Sequence, residues 1–78
     1  MSDELFERFR KTAAESLSKP VDEITMSASF ADDLDADSLD LVQLVMDLEE
    51  EFDITVDEDE LEGITTVGQA FELVKSKL

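Results

Sequence analysis

The chain has no cysteine and no histidine among its 78 residues. Without thiols there is no disulfide staple and no protein thiol chemistry. Without imidazole it lacks the usual general base near neutral pH and the commonest transition-metal ligand. Basic residues are scarce: six Lys and Arg stand against 22 Asp and Glu, a formal charge of −16. No apolar run approaches the roughly 20 residues that span a bilayer. The opening MSDELFERF has no continuous apolar core followed by a small-residue cleavage site, so no signal peptide is expected. These absences predict a soluble, cytoplasmic chain without membrane insertion. Seventy-eight residues suffice for one domain, spanning 1–78, with a modest core that needs regular elements to be stable.

The few basic residues lie towards the ends: Arg8, Arg10, Lys11, Lys19, Lys75 and Lys77. Between Pro20 and Val74 there is no Lys or Arg, against eighteen Asp and Glu. Such a surface repels nucleic acid and anionic membranes and attracts proteins with basic docking patches. Acid-rich composition also accompanies disorder. Here 42% of the residues are apolar and recur at helical spacing, which favours a folded chain.

Four helical stretches are predicted. The first follows Ser2 as N-cap, with Asp3 and Glu4 at the positive helix end, and it buries Phe6, Phe9, Ala13 and Leu17 before Pro20 stops it. From Val21 to Asp37 no period is sustained. The expectation is a long structured loop pinned by Val21, Ile24, Met26, Phe30 and Leu34, and loops of this length in small domains are usually functional. The second helix should run from about Ser38 to Phe52. The third is short, near Asp57 to Glu62, with Asp57 as N-cap, Glu60 three residues on and Gly63 as the stop. The fourth opens at Thr66 with Gln69 as its capping-box partner and buries Val67, Ala70, Phe71 and Val74. Only Ile54-Thr55-Val56 alternates like a strand, and it is too short to build a sheet. The fold class is therefore all-α: a small four-helix bundle with three longer helices, a short third one, and a long loop between the first two.

The second helix is apolar around more of its circumference than a small core can use. At about 100° per residue, Leu41, Leu44, Val45, Leu48 and Phe52 cluster in one direction and face the core. Leu39, Val42 and Met46 point about 100–160° away, where a surface helix normally carries polar groups. Either another helix covers them or they form a contact site for partner proteins. An adaptable Met and two aliphatics, margined by Gln43, Glu49 and Glu50, suit a surface that fits several partners weakly.

Ser38 stands at the start of this helix among Asp33, Asp35, Asp37 and Asp40. As a catalytic nucleophile it has no base, and neighbouring carboxylates would raise the hydroxyl's pKa. As a calcium loop, Asp33-x-Asp35-x-Asp37 places Ser38 at position six in place of Gly and Leu44 at position twelve in place of a bidentate Glu, so an EF-hand is not supported. As a plain N-cap, Ser38 or Asp37 would satisfy free N–H groups. A hydroxyl at a helix N-terminus also favours an added phosphate, because free amides and the helix dipole face it.

Asp37-Ser38-Leu39 within DLDADSLDLVQLVMDLEEEFDI, followed by Gly63-Ile64-Thr65-Thr66-Val67-Gly68, resembles an acyl carrier protein of the free-standing type used in bacterial fatty acid synthesis. The likeness covers nearly the whole chain. It implies a carrier, not an enzyme, whose Ser38 is joined through a phosphodiester to 4′-phosphopantetheine, supplied by a phosphopantetheinyl transferase. It implies that acyl intermediates ride on the arm's thiol as thioesters, presented to successive fatty acid synthase enzymes by a cytoplasmic monomer. Asp37, Leu39, Asp40, Val42, Met46, Glu49 and Glu50 match the partner-recognition surface. The family also shelters its acyl chain, and Phe30, Val45, Leu48, Ile54, Ile64, Ala70 and Phe71 are candidate lining residues. Asp35 stands where the family often has Gly, Gln43 where it often has Glu, and Asp57 where Pro is frequent. These departures bear on partner choice more than on the carrier role. A polyketide or other secondary-metabolite carrier, or an acidic ion-binding or interaction module, are the alternatives.

Overall fold

Apolar spacing of three and four builds α1, Ser2–Leu17, in the computed structural model, which describes residues 2–78. Phe9, Ala13 and Ala14 of this helix are buried, while Phe6 and Leu17 are half-buried at its edges. The side chains of Ser2 and Asp3, and with them the expected cap, lie outside the described residues. A single 3₁₀ turn, Val21–Glu23, follows Pro20. Then come α2, Ser38–Phe52, α3, Glu58–Leu61, and α4, Val67–Lys77. Among the described residues the only β-type contact is an isolated antiparallel bridge between Ser29 and Thr66. No described helix is long and apolar enough to cross a membrane.

The core is a single apolar cluster drawn from every long element. Phe6, Phe9 and Phe71 form its aromatic centre, with ring centroids 4.9 Å apart for Phe6–Phe71 and 5.4 Å for the edge-on pair Phe9–Phe71. Around them lie Leu44, Leu48 and Phe52 from α2 and Val67, Ala70 and Val74 from α4. Burial of this kind, at about 1.5–3 kcal/mol for each large side chain, is the principal force holding helices of this length together.

The long loop is pinned differently from its predicted set. Ile24, Phe30 and Leu34 are buried, but Val21 and Met26 are 38% and 44% exposed. Ala28 and Ala36 take their places in the core. Small residues serve there because the loop backbone runs close against the start of α4. The amides of Val67 and Gly68 donate to the carbonyls of Ala28 and Met26, both at 2.9 Å, and Phe30 N–H donates to Thr65 carbonyl at 3.0 Å. Arg10 fixes the other end of the loop: Nε and a terminal guanidinium nitrogen donate to the carbonyls of Ile24 (2.9 Å) and Val21 (3.0 Å). A connection of 20 residues, 18–37, would otherwise leave many buried backbone groups unpaired.

The predicted caps are present for the three later helices. Thr66 Oγ1 accepts from Gln69 N–H and Gln69 Oε1 accepts from Thr66 N–H at 3.0 Å, a reciprocal capping box. Glu60 accepts from Asp57 N–H at 3.0 Å at the start of α3. Gly63 follows the end of α3 but not in the left-handed conformation, since no glycine has positive φ. A turn from Ile64 N–H to the Leu61 carbonyl closes that end instead. Left-handed residues do occur at Asp35 (φ 53°) and at Asp53, the C-cap of α2 (φ 55°).

Candidate functional site

The start of α2 settles which residue caps it. Asp37, in extended conformation, accepts from Asp40 N–H through Oδ1 at 3.0 Å, and Asp40 Oδ2 accepts from Asp37 N–H at 3.1 Å. This reciprocal box leaves Ser38 as the first helical residue, its side chain exposed and free of any capping duty. Leu41 N–H returns to the Asp37 carbonyl at 3.0 Å, so the amides of Ser38 and Leu39 stand outside the cap. An exposed hydroxyl beside two uncommitted amides at the positive end of a 15-residue helix fits a phosphodiester linkage well. The carboxylates of Asp37 and Asp40 oppose added negative charge and favour the approach of cationic groups.

The second apolar stripe is open to solvent. Leu39, Val42 and Met46 are 78%, 45% and 53% exposed, so neither α1 nor α4 covers them. Leu44, Val45, Leu48 and Phe52 are buried on the opposite side, with Leu41 half-buried between the two faces. Glu50 is exposed at the margin. Glu49 differs from the other margin residues: it is half-buried and its carboxylate accepts from Val56 N–H at 2.8 Å. Its backbone carbonyl also receives the amides of Asp53 and Ile54. Glu49 therefore holds the connection between α2 and α3 as well as standing beside the stripe.

Two depressions meet at Ser38. A trough of about 430 Å³ is bordered by Ser38 and Leu41 on α2, by Ser29, Phe30 and Asp32 of the long loop, and by Ile64 and Thr65 before α4. A smaller crevice of about 170 Å³ lies towards α3 and is lined by Ser38, Leu41, Val42, Leu61 and Glu62. Of the residues predicted to shelter an acyl chain, Phe30 and Ile64 line the trough. Val45, Leu48, Ala70 and Phe71 are buried, and Ile54 is half-buried against the core. Leu41, Leu61 and Thr65 were not foreseen as site residues. Leu41 was within reach of sequence reasoning, being one helical turn beyond Ser38 (i+3), whereas Leu61 and Thr65 arrive through the tertiary fold.

The aspartate run does not converge. Asp33 turns back on its own loop to accept from Ser29 N–H at 2.7 Å. Among the described residues no group of three or more acids is spaced to hold a metal ion.

Residues 7–74 match the family model described as "Phosphopantetheine attachment site". The chain is also 51% identical, over 76 residues, to a protein of Petrotoga mobilis named "Acyl carrier protein", with 97% of this chain and 89% of that protein aligned. Phosphopantetheine is thus the group this domain is built to carry, in keeping with the free hydroxyl and open amides at the start of α2. On that combined ground the chain belongs to the acyl carrier protein family, the phosphopantetheine-bearing carriers of acyl groups.

Proposed function

We propose that Ser38 is the attachment point of 4′-phosphopantetheine and that residues 1–78 act as one carrier domain in fatty acid biosynthesis. The observation that supports this most directly is the division of labour at the start of α2. The Asp37–Asp40 box does the capping, and Ser38 is left exposed with its hydroxyl free for modification. When attached, the arm supplies a terminal thiol that holds an acyl group as a thioester, which the cysteine-free chain cannot do alone.

The residues of this chain then position and present. Asp37 and Asp40 fix the first turn of α2 and offer negative charge to a cationic transferase. Leu39, Val42 and Met46 form an exposed apolar strip for docking, with Glu50 and Glu49 beside it. A soft Met and two aliphatics can be shared by successive enzymes because weak, re-packable contacts release as readily as they form. In this reading the protein is a cytoplasmic monomer that performs no catalysis itself. The LVMDLEEEFDI and ITTVG segments favour fatty acid synthesis over a secondary-metabolite pathway.

The test is incubation with coenzyme A and a broad-specificity phosphopantetheinyl transferase, followed by intact mass measurement. One arm should be added to the native chain and none to Ser38→Ala. An unchanged native mass, with an authentic carrier modified in parallel, would refute the assignment. Pathway membership is read by offering the loaded chain to purified fatty acid synthesis enzymes and to polyketide enzymes; preference for the latter would overturn that part.

A further inference from the structure

Two methionines of this cysteine-free chain stand open to solvent, Met46 at 53% and Met26 at 44%. With no thiol in the polypeptide, oxidation at sulfur falls to methionine. Met26 belongs to the long loop, where its carbonyl is held by Gly68 N–H at 2.9 Å. Met46 belongs to the exposed strip of α2. Ser38, Leu39, Val42 and Met46 fall within about 100° of arc around that helix, and Met46 lies about 12 Å along the axis from Ser38. A standard interface covers ~800 Å² of each partner, a patch roughly 30 Å across, so an enzyme seated over Ser38 and Leu39 also covers Met46. One turn to either side, Met46 has Val42, Gln43, Glu49 and Glu50 as neighbours. Val42 is apolar, and the two carboxylates accept hydrogen bonds without donating any. Gln43 Nε2 is engaged with Asp47 Oδ1 at 3.2 Å. An oxygen added to the Met46 sulfur would therefore be hydrogen-bonded by water in the free chain, and it would lose that water when apolar partner surface covers the strip.

We propose that Met46 is a redox modification site that controls docking on α2, with a peroxide as the oxidant. A sulfur lone pair attacks one oxygen of hydrogen peroxide, and the S–O bond forms as the O–O bond breaks. The other oxygen leaves with both protons as water. Sulfur is oxidised by two electrons and the peroxide is reduced by them. The product is a polar sulfoxide in the middle of an apolar strip, and methionine sulfoxide reductases reverse it. Met46 is exposed, so its oxidation spares the core and acts on docking alone. The site has this consequence only if Ser38 is the attachment point and the transferase seats on the strip, as proposed above.

The experiment oxidises the arm-free chain with hydrogen peroxide, removes the peroxide with catalase, and then measures arm transfer from coenzyme A by a broad-specificity phosphopantetheinyl transferase. Peptide mapping by mass spectrometry reports the oxygen added at each methionine. The native chain, Met46→Leu and Met26→Leu are each compared with their own untreated form. In the native chain and in Met26→Leu, oxidation should raise KM about tenfold, the effect of covering one unpaired polar oxygen. The kcat value should hold, because strip contacts are the same in the ground and transition states. In Met46→Leu oxidation should change neither constant. Tm of oxidised Met26→Leu should not move, and the two sulfoxide reductases, one for each epimer, should restore its KM with dithiothreitol as reductant. An unaltered KM in the oxidised native chain, or an equal rise in oxidised Met46→Leu, overturns the proposal. So does a fall in Tm of oxidised Met26→Leu, which would make the effect one of folding. An untreated native chain that gains no arm is a different failure: it removes the attachment point, and the docking consequence with it.

Discussion

Substituting the two glycines with alanine should have opposite effects, and the pair tests how the long loop is held. A Cβ added at Gly68 would sit 2.9 Å from the backbone oxygen of Met26 and 3.7 Å from its carbonyl carbon. That oxygen already accepts the Gly68 N–H at 2.9 Å, and it cannot retreat freely because Val67 N–H binds Ala28 carbonyl and Phe30 N–H binds Thr65 carbonyl alongside. Alanine improves helix propensity at this position by at most ~1 kcal/mol. Against this stand overpacking, at about 1–3 kcal/mol, and a strained hydrogen bond worth roughly 1 kcal/mol. Gly68→Ala should therefore lose about 1–2 kcal/mol net, which for a domain of this size lowers Tm by about 5–15 °C. At Gly63 nothing lies within 4 Å of an added Cβ and φ is not positive. Gly63→Ala should gain about 0.4–1 kcal/mol by reducing the freedom of the unfolded chain. Thermal and urea denaturation of both variants measures the difference, with an unchanged urea m-value confirming that two-state unfolding persists. A Gly68→Ala protein as stable as the native chain, or more so, would refute the close approach. The consequence would reach the site, since the same backbone stretch carries Phe30 into the trough.

Asp37→Ala and Asp37→Asn both remove one negative charge, but only Asn can still cap; urea melts should find the alanine variant less stable by ~1 kcal/mol. At the other end of α2, Asp53 places a negative charge at the negative end of the helix dipole in a left-handed conformation that Asn also tolerates. Asp53→Asn should therefore stabilise by about 0.3–1 kcal/mol at low salt, and a loss of stability would count against the dipole argument. Lys77 Nζ lies 2.8 Å from Glu60 and joins the end of α4 to α3. The hydrogen bond from Lys77 holds the Glu60 carboxyl below its ordinary value, and the hydrogen bond to Glu60 raises Lys77. The Glu60 contribution is thus present above the ordinary glutamate range and lost as pH falls through its depressed value; NMR titration should show that value rising in Lys77→Met but staying below normal, because the Asp57 N–H still donates to the carboxylate. With a charge of −16, thermal stability near neutral pH should rise as salt is added from low ionic strength, and a flat series would show that repulsion is already balanced locally.

Helix positions were legible because they depend on neighbours in the chain. Spacing of three and four marked α1 and α2, and the Thr66–Gln69 and Asp57–Glu60 pairs marked the later starts. The loop was less legible, because Val21 and Met26 have the composition of anchors but their side chains face solvent. Their backbone carbonyls are held from elsewhere in the fold, Val21 by Arg10 and Met26 by Gly68, and these contacts follow no sequence period. Gly63 had the composition of a helix stop, yet the turn behind α3 closes without a left-handed residue there.

By itself the sequence determined the class of the protein. Acid excess, missing nucleophile partners and a serine opening a doubly apolar helix pointed to a modification point beside a docking surface, and the Asp37-Ser38-Leu39 and Gly63-to-Gly68 segments added the resemblance to acyl carrier proteins. Such features are local, since composition and helical angle need no knowledge of what packs against what. Tertiary structure decided the rest: that Leu39, Val42 and Met46 stay uncovered, that Asp37 caps and Ser38 does not, that Glu49 is committed to Val56, and that Leu41 stands between two unlike depressions. Each of these depends on residues distant in the chain or on competition between adjacent groups, and only the packed fold resolves such contests.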